Sequence, residues 1–181
     1  MRTILFILFA LGVTFSAQAQ FRKASLQATG LTCAMCSRAT LESLQTLPFV
    51  DKIDTDLNNT TFILYFKKDA AVNIDAIKQK VEDAGFSVGK LVMTANFSDV
   101  KVQKDAHVSF AGNTLHFMDV KDQVLNGEKD ITVIDKNFVS ARQFKKFSTE
   151  TTMPCYKTGM MGDCCKHGSA LASTRIYHVT I

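Results

Sequence analysis

The 181-residue chain predicts an α+β fold in two parts. Three observations carry this reading. Over residues 21–92, stretches with strand-like alternation and stretches with helical apolar spacing take turns. Over 93–181, strand-like stretches dominate. Within that second part, residues 149–173 are rich in glycine and small residues and have no periodicity.

Residues 22–29 alternate polar and apolar and predict a strand, followed by a loop at 30–35. Residues 36–47 have helical spacing, with Ala39, Leu44 and Leu47 on one side, and Pro48 marks the end. Residues 50–57 alternate around Val50, Ile53 and Leu57. Asn58-Asn59 is a turn signal and 60–66 is the returning strand of a hairpin. A second helix spans 73–84: Asn73 is its N-cap, Ile74, Ile77 and Val81 are its apolar face, and Gly85 closes it. Residues 86–92 form a last strand. The order β-α-β-β-α-β is the split βαβ, ferredoxin-like arrangement, with two helices on one face of a four-stranded sheet.

In the second part, strands are expected at 97–102, 106–110, 114–120, 130–134, 142–148 and 175–181, with a short helical turn at 120–125. Ala111-Gly112-Asn113 and Asn126-Gly127 read as turns, the latter a hairpin dipeptide. The expectation is a small, mainly antiparallel β domain over 93–181, a barrel or sandwich. A five-stranded, partly open OB-like barrel fits the strand count.

The N-terminus reads as a secretory signal peptide over 1–19. Arg2 is followed by an apolar run at 4–13, and Ala17-Gln18-Ala19 offers small residues for cleavage. The run is shorter than the ~20 residues a bilayer span needs. The expectation is a mature chain beginning near Gln20, with no stable membrane insertion. It would be secreted across the inner membrane, and periplasmic in a Gram-negative bacterium. Net charge is +4 and falls to +3 without Arg2. With no basic stripe carrying interleaved aromatics, nucleic acid is not an expected partner.

All five cysteines lie beyond the signal: Cys33, Cys36, Cys155, Cys164 and Cys165. In an oxidising compartment the default reading is disulfides, but an odd count leaves a thiol over. Cys33 and Cys36 sit in Gly30-Leu31-Thr32-Cys33-Ala34-Met35-Cys36, where the loop turns into a helix. A helix N-terminus stabilises thiolates, and thiolate is the metal-binding form. Two thiolates two residues apart suit a soft ion of low coordination number, whereas structural zinc takes about four ligands. A redox Cys-x-x-Cys or a plain disulfide remains open for the same pair.

On these residues the segment 22–92 resembles the heavy-metal-associated domain. That family includes copper chaperones, modules of copper-transporting ATPases and periplasmic mercury-binding proteins. Gly-Leu-Thr-Cys-Ala-Met-Cys is similar to the family's Gly-Met-Thr-Cys-x-x-Cys, and Val81-Glu82-Asp83-Ala84-Gly85-Phe86 to its second signature. The resemblance implies that Cys33 and Cys36 are metal ligands and that Phe86 supports the loop. Leu31 departs from the family's Met. Thr32 stands where zinc-transporting relatives often carry Asp, which favours copper(I). Silver(I), mercury(II) and zinc(II) are the other candidate ions. The implied partner is a metal-transporting or metal-accepting protein.

Cys155, Cys164, Cys165 and His167 form a second cluster, with Met153, Met160 and Met161 nearby. These are soft or borderline ligands, so a second metal site is one reading. A disulfide from Cys155 to Cys164 or Cys165 is the other; adjacent cysteines are too strained to bond readily to each other. His116 and His178 read as satisfied sheet residues. No catalytic constellation is evident. The expected function is an exported copper(I) chaperone or scavenger working by ligand exchange, not an enzyme. The alternatives are a thiol-disulfide oxidoreductase, a mercury-binding protein, or an adaptor docking to a metal transporter.

Overall fold

The computed structural model describes residues 20–56, 58–162 and 174–181. The expected signal peptide lies outside these residues. Among them, no helix is long and apolar enough to cross a membrane.

The first part follows the expected order: β1 (Gln20–Thr29), α1 (Ala34–Gln45), β2 (Val50–Asp56), β3 (Thr61–Phe66), α2 (Ile74–Asp83) and β4 (Ser87–Val102). Its strands lie in the order β2-β3-β1-β4, which with the two helices is the ferredoxin-like arrangement. The local signals act as their chemistry dictates. The Asn73 side-chain oxygen accepts from the Ala76 amide at 3.0 Å and starts α2. Gly85 adopts φ +88° and ends it. Ile74, Ile77 and Val81 face inward onto Leu26, Phe62, Leu64 and Leu91, all without solvent exposure. The Ser43 hydroxyl donates to the Lys80 carbonyl at 2.7 Å and ties α1 to α2.

The second part departs from the expectation. β4 is sixteen residues long and runs through the expected boundary at 92/93. Leu91, Met93, Ala95 and Phe97 are buried at every second position, and nothing in that stretch turns the chain. β4 therefore pairs with β1 on one side and with β7 (Gln123–Val133) on the other. β5 (Ala106–Phe110), β6 (Asn113–Phe117) and β8 (Ile176–Thr180) complete one eight-stranded sheet, ordered β2-β3-β1-β4-β7-β8-β6-β5. The expected separate barrel or sandwich is replaced by an extension of the first sheet. The sheet curls: Phe110 on the outermost strand meets Phe97 and Phe21 at ring distances of 4.5 and 5.1 Å. β6 and β8 pair in parallel.

Two turn signals were misleading. Asn126-Gly127 lies inside β7, where Gly127 at φ +71° faces a register shift in β4 between Phe97 and Val100. It is a bulge and not a hairpin, and Asn126 donates to the Asp99 carboxylate at 2.8 Å across it. The start of β7 also occupies part of the expected helical turn. Residues expected as a strand at 142–148 form helix α3 (Ala141–Phe147). Ser140 and Gln143 make a reciprocal capping box there, and Phe144 and Phe147 face one way at i, i+3. The glycine-rich stretch begins with a short helix, α4 (Cys155–Thr158).

The two parts are clamped by Arg175. Its guanidinium donates to Asp75 at the start of α2 (2.8 Å) and to Asp135 after β7 (3.4 Å). The Tyr177 hydroxyl donates to the same Asp75 at 3.1 Å.

Candidate metal-binding loop

The loop between β1 and α1 holds both predicted ligands. Gly30 leaves β1 at φ +87°, a conformation that disfavours any residue with a Cβ. A Cβ there would sit 3.6 Å from the Phe86 ring, so Phe86 supports the base of the loop as the resemblance implied. Leu31 packs partly buried against the core, anchoring the loop from the other end.

α1 starts at Ala34, earlier than the sequence suggested, and Cys33 is its N-cap. The Cys33 sulfur accepts from the Cys36 amide at 3.3 Å, the role an Asp or Ser oxygen usually plays. Cys33 is exposed and Cys36 half-buried, both as thiols. Hydrogen bonds from the Cys36 thiol and amide, with the Met35 amide adding, hold the Cys33 thiol below its usual 9.0. Met35 stands 74% exposed between the two cysteines, an apolar side chain left in water at the mouth of the loop. Behind it Thr40 is buried and donates to the Cys36 carbonyl at 3.1 Å, fixing the first turn. The loop thus presents Cys33 to solvent with the half-buried Cys36 beside it, at a helix start held by packing and hydrogen bonds. A hollow of about 260 Å³ lies against it, lined by Leu31, Cys33, Ser37 and Thr60.

Of the second predicted cluster, Cys155 is described, while Cys164, Cys165 and His167 lie outside the described residues. Cys155 is 1% exposed, and its sulfur is 3.6 Å from His116 Nδ1. Burial, with His178 and His107 beside it, pushes His116 down to about 4 against the pull of Asp105, so its ring is neutral at pH 7. His178 is only half the satisfied sheet residue expected: Nδ1 contacts Asp135 at 2.7 Å, but the buried Nε2 has no hydrogen-bond partner among the described residues. His116 was expected only as a satisfied sheet residue, and the expected turn Ala111-Gly112-Asn113 is one residue too long to pair it with His107. A two-residue turn at Ala111-Gly112 sets His107 opposite His116 in the β5–β6 hairpin.

The family model of the heavy-metal-associated domain matches residues 25–87. The curated Arabidopsis thaliana protein named "Probable copper-transporting ATPase HMA5" is 31% identical over 75 residues, covering 41% of this chain and 7% of the ATPase. This chain therefore corresponds to only a small part of that relative. Among solved structures, the yeast copper transporter domain CCC2A is 31% identical over 36% of this chain and 88% of that one, at a TM-score of 0.32. CopP from Helicobacter pylori is 27% identical over 36% of this chain and 97% of its own, also at 0.32. Residues 25–87, which carry Cys33, Cys36 and Phe86, match the heavy-metal-associated domain, as their two sequence signatures imply.

Proposed function

We propose that this is an exported protein that binds a soft metal ion, copper(I) foremost, at Cys33 and Cys36 and passes it on by ligand exchange. The observation that carries this reading is the exposed Cys33 thiol capping α1, with Cys36 in the first turn. Helix-end amides and a neighbouring thiol favour thiolate there, and two thiolates satisfy a two-coordinate soft ion without further ligands. Because the loop faces solvent, an incoming thiolate can attack the bound ion, displacing Cys33 and Cys36 in turn. The recipient would be a metal-transporting or metal-accepting protein. The match of 25–87 to the heavy-metal-associated domain supports the same reading. Export rests on the signal-like residues 1–19.

Copper(I) titration of the reduced protein against a competing chelator tests it, with silver(I), mercury(II) and zinc(II) as comparison ions. One equivalent of copper(I) held at this loop, and lost in Cys33→Ser/Cys36→Ser, is expected. No difference between wild type and that double variant sinks the reading. N-terminal sequencing of the protein from intact cells tests export, with a start near Gln20 expected.

A thiol-disulfide oxidoreductase is the second reading, favoured by the same exposed, low-pKa Cys33. It predicts repeated turnover of a disulfide substrate by the metal-free protein. Stoichiometric oxidation without turnover rejects it.

A further inference from the structure

We propose that His107, His116 and Cys155 form a second metal site, separate from Cys33 and Cys36, for one soft or borderline ion, copper(I) or zinc(II). The inference stands apart from the reading of the exposed loop.

The site is built by strand register. β5, β6 and β8 are neighbours, and His107, His116 and His178 occupy paired positions across them. Side chains directly opposite in a sheet share a face, so the three imidazoles form a row. The rings of His107 and His116 are 4.3 Å apart, and those of His116 and His178 4.8 Å. Two of the three, His116 and His178, are fully buried, and burial is costly for any ring nitrogen that is not bonded. Cys155, at the start of α4, brings its thiol to this row.

The ligand atoms of His107, His116 and Cys155 all lie within 4.8 Å of one another. With metal–sulfur bonds of about 2.3 Å and metal–nitrogen bonds of about 2.0 Å, sulfur and nitrogen on one ion sit roughly 3.5 to 3.8 Å apart at tetrahedral to trigonal angles. The 3.6 Å between Cys155 Sγ and His116 Nδ1 is that separation. His107, half-buried on the edge strand β5, supplies the third ligand atom, within 4.8 Å of the other two.

His116 is also oriented as a ligand. Its Nε2 lies 3.1 Å from the Asp105 carboxylate, which places the ring proton on Nε2. The Nδ1 lone pair is then left facing the Cys155 sulfur. A carboxylate behind an imidazole is the usual support for a metal-binding histidine. The same order of thiol, imidazole and carboxylate serves nucleophilic cysteine enzymes. Here Cys155 and His116 are 1% and 0% exposed, which suits an enclosed ion better than a substrate. One thiolate and two imidazoles are a borderline donor set, fitting copper and zinc rather than magnesium or calcium. On binding, the Cys155 thiol releases its proton to solvent and sulfur bonds the ion as thiolate.

The test uses the full-length reduced protein carrying Cys33→Ser/Cys36→Ser, so that the exposed loop contributes no thiol. Copper(I) and zinc(II) are titrated separately against chelators, and X-ray absorption reads the ligands. Retention of one equivalent of either ion with one sulfur and two imidazole nitrogens supports the site and names its ion. Adding Cys155→Ser or His116→Gln should abolish retention. Adding Asp105→Asn should weaken it about 10- to 100-fold while the protein stays folded. Asn keeps the left-handed backbone that Asp105 adopts at φ +60°. Retention of neither ion overturns the proposal. So does a shell of several sulfurs without imidazole, or affinity unmoved by Asp105→Asn. Peptide mapping of the exported protein that finds Cys155 in a disulfide overturns it too.

Discussion

The thiols among the described residues sit in two opposite settings. Cys33 stands in solvent at the start of α1, with Cys36 beside it and no imidazole in the loop. Cys155 lies at 1% exposure against a row of histidines on the sheet. Both settings lend themselves to soft-metal chemistry, but they differ in access. An ion held by the exposed Cys33 and the half-buried Cys36 can be attacked from solvent by an incoming ligand at any time. An ion beneath the strand face of β5, β6 and β8 could leave only when its cover opens, a slower event. Burial, more than the identity of the donor atom, separates a site suited to transfer from one suited to retention.

The largest expected effect breaks the first half of that comparison. Cys33→Ser removes one of two sulfurs from a site with no third donor on its loop. The loss in copper(I) affinity should exceed the roughly 10- to 100-fold that a hydrogen bond supporting a ligand is worth. Chelator competition measures this, and stopped-flow transfer to a dithiol acceptor measures delivery. If Cys33→Ser/Cys36→Ser still delivers copper(I) at the wild-type rate, the exposed loop is not the site of transfer.

A smaller effect probes the frame around the buried setting. Asp135 is 4% exposed on its side chain and accepts from the His178 amide at 3.2 Å, with His178 Nδ1 at 2.7 Å and Arg175 at 3.4 Å. Asp135→Ala leaves a buried imidazole N–H and a backbone N–H without their acceptor and takes one carboxylate from Arg175. The expected cost is about 3 kcal/mol in urea unfolding. Copper(I) affinity at Cys33 and Cys36 should not change, because Asp135 touches neither.

The two settings also differ in how far they could be read from sequence. The exposed loop is a local construction. Gly30, Cys33, Cys36, Asn73 and Gly85 each act within a few residues of themselves, through positive φ, capping or helix termination, so spacing alone locates them. The buried row is assembled over long range. His107 and His116 are joined by a hairpin whose turn was expected one residue too long: counting outward from Ala111-Gly112-Asn113 pairs His107 with Phe117, and only the two-residue turn Ala111-Gly112 pairs it with His116. His178 and Cys155 reach that row through a parallel strand pairing and a short helix that no local signal announces. The single sheet was hidden for a related reason. Alternation at Leu91, Met93, Ala95 and Phe97 predicts a strand, but nothing in it tells whether one strand ends and another begins. Residues 142–148 read as a strand, although Phe144 and Phe147 are three apart, a helical spacing. Ser140 and Gln143, three apart, were the stronger sign, because reciprocal capping satisfies helix-end donors that a strand would leave to its neighbours.

That capping box supplies the next test. α3 has no fully buried residue of its own, but Phe144 stacks on Tyr156 at 4.7 Å, directly after Cys155. Ser140→Ala removes the side-chain acceptor for the Gln143 amide and should cost about 1 kcal/mol. Hydrogen exchange should show faster opening of α3 and of the Tyr156 region, with α1 and the exposed loop unchanged. Equal acceleration in both places would mean that the two settings open together, and the contrast in access would fail.

The smallest effect sharpens the contrast at the level of a single proton. Hydrogen bonds from Cys36 favour the Cys33 thiolate, so metal-free Cys33 should alkylate with a pH midpoint below the 9.0 of an ordinary thiol. The sign follows from which form is stabilised: donors aimed at sulfur favour the anion, so the proton leaves at lower pH. Cys36→Ala removes the thiol donor but keeps the amide, and the midpoint should rise only part of the way back toward 9.0. Peptide mapping by mass spectrometry reads each cysteine separately. Cys155 should remain unmodified over the same range while the protein is folded, because its sulfur is shielded whatever its charge. If Cys155 reacts as fast as Cys33, the sheet does not cover it. An ion at His107, His116 and Cys155 would then be as open to exchange as one at the loop.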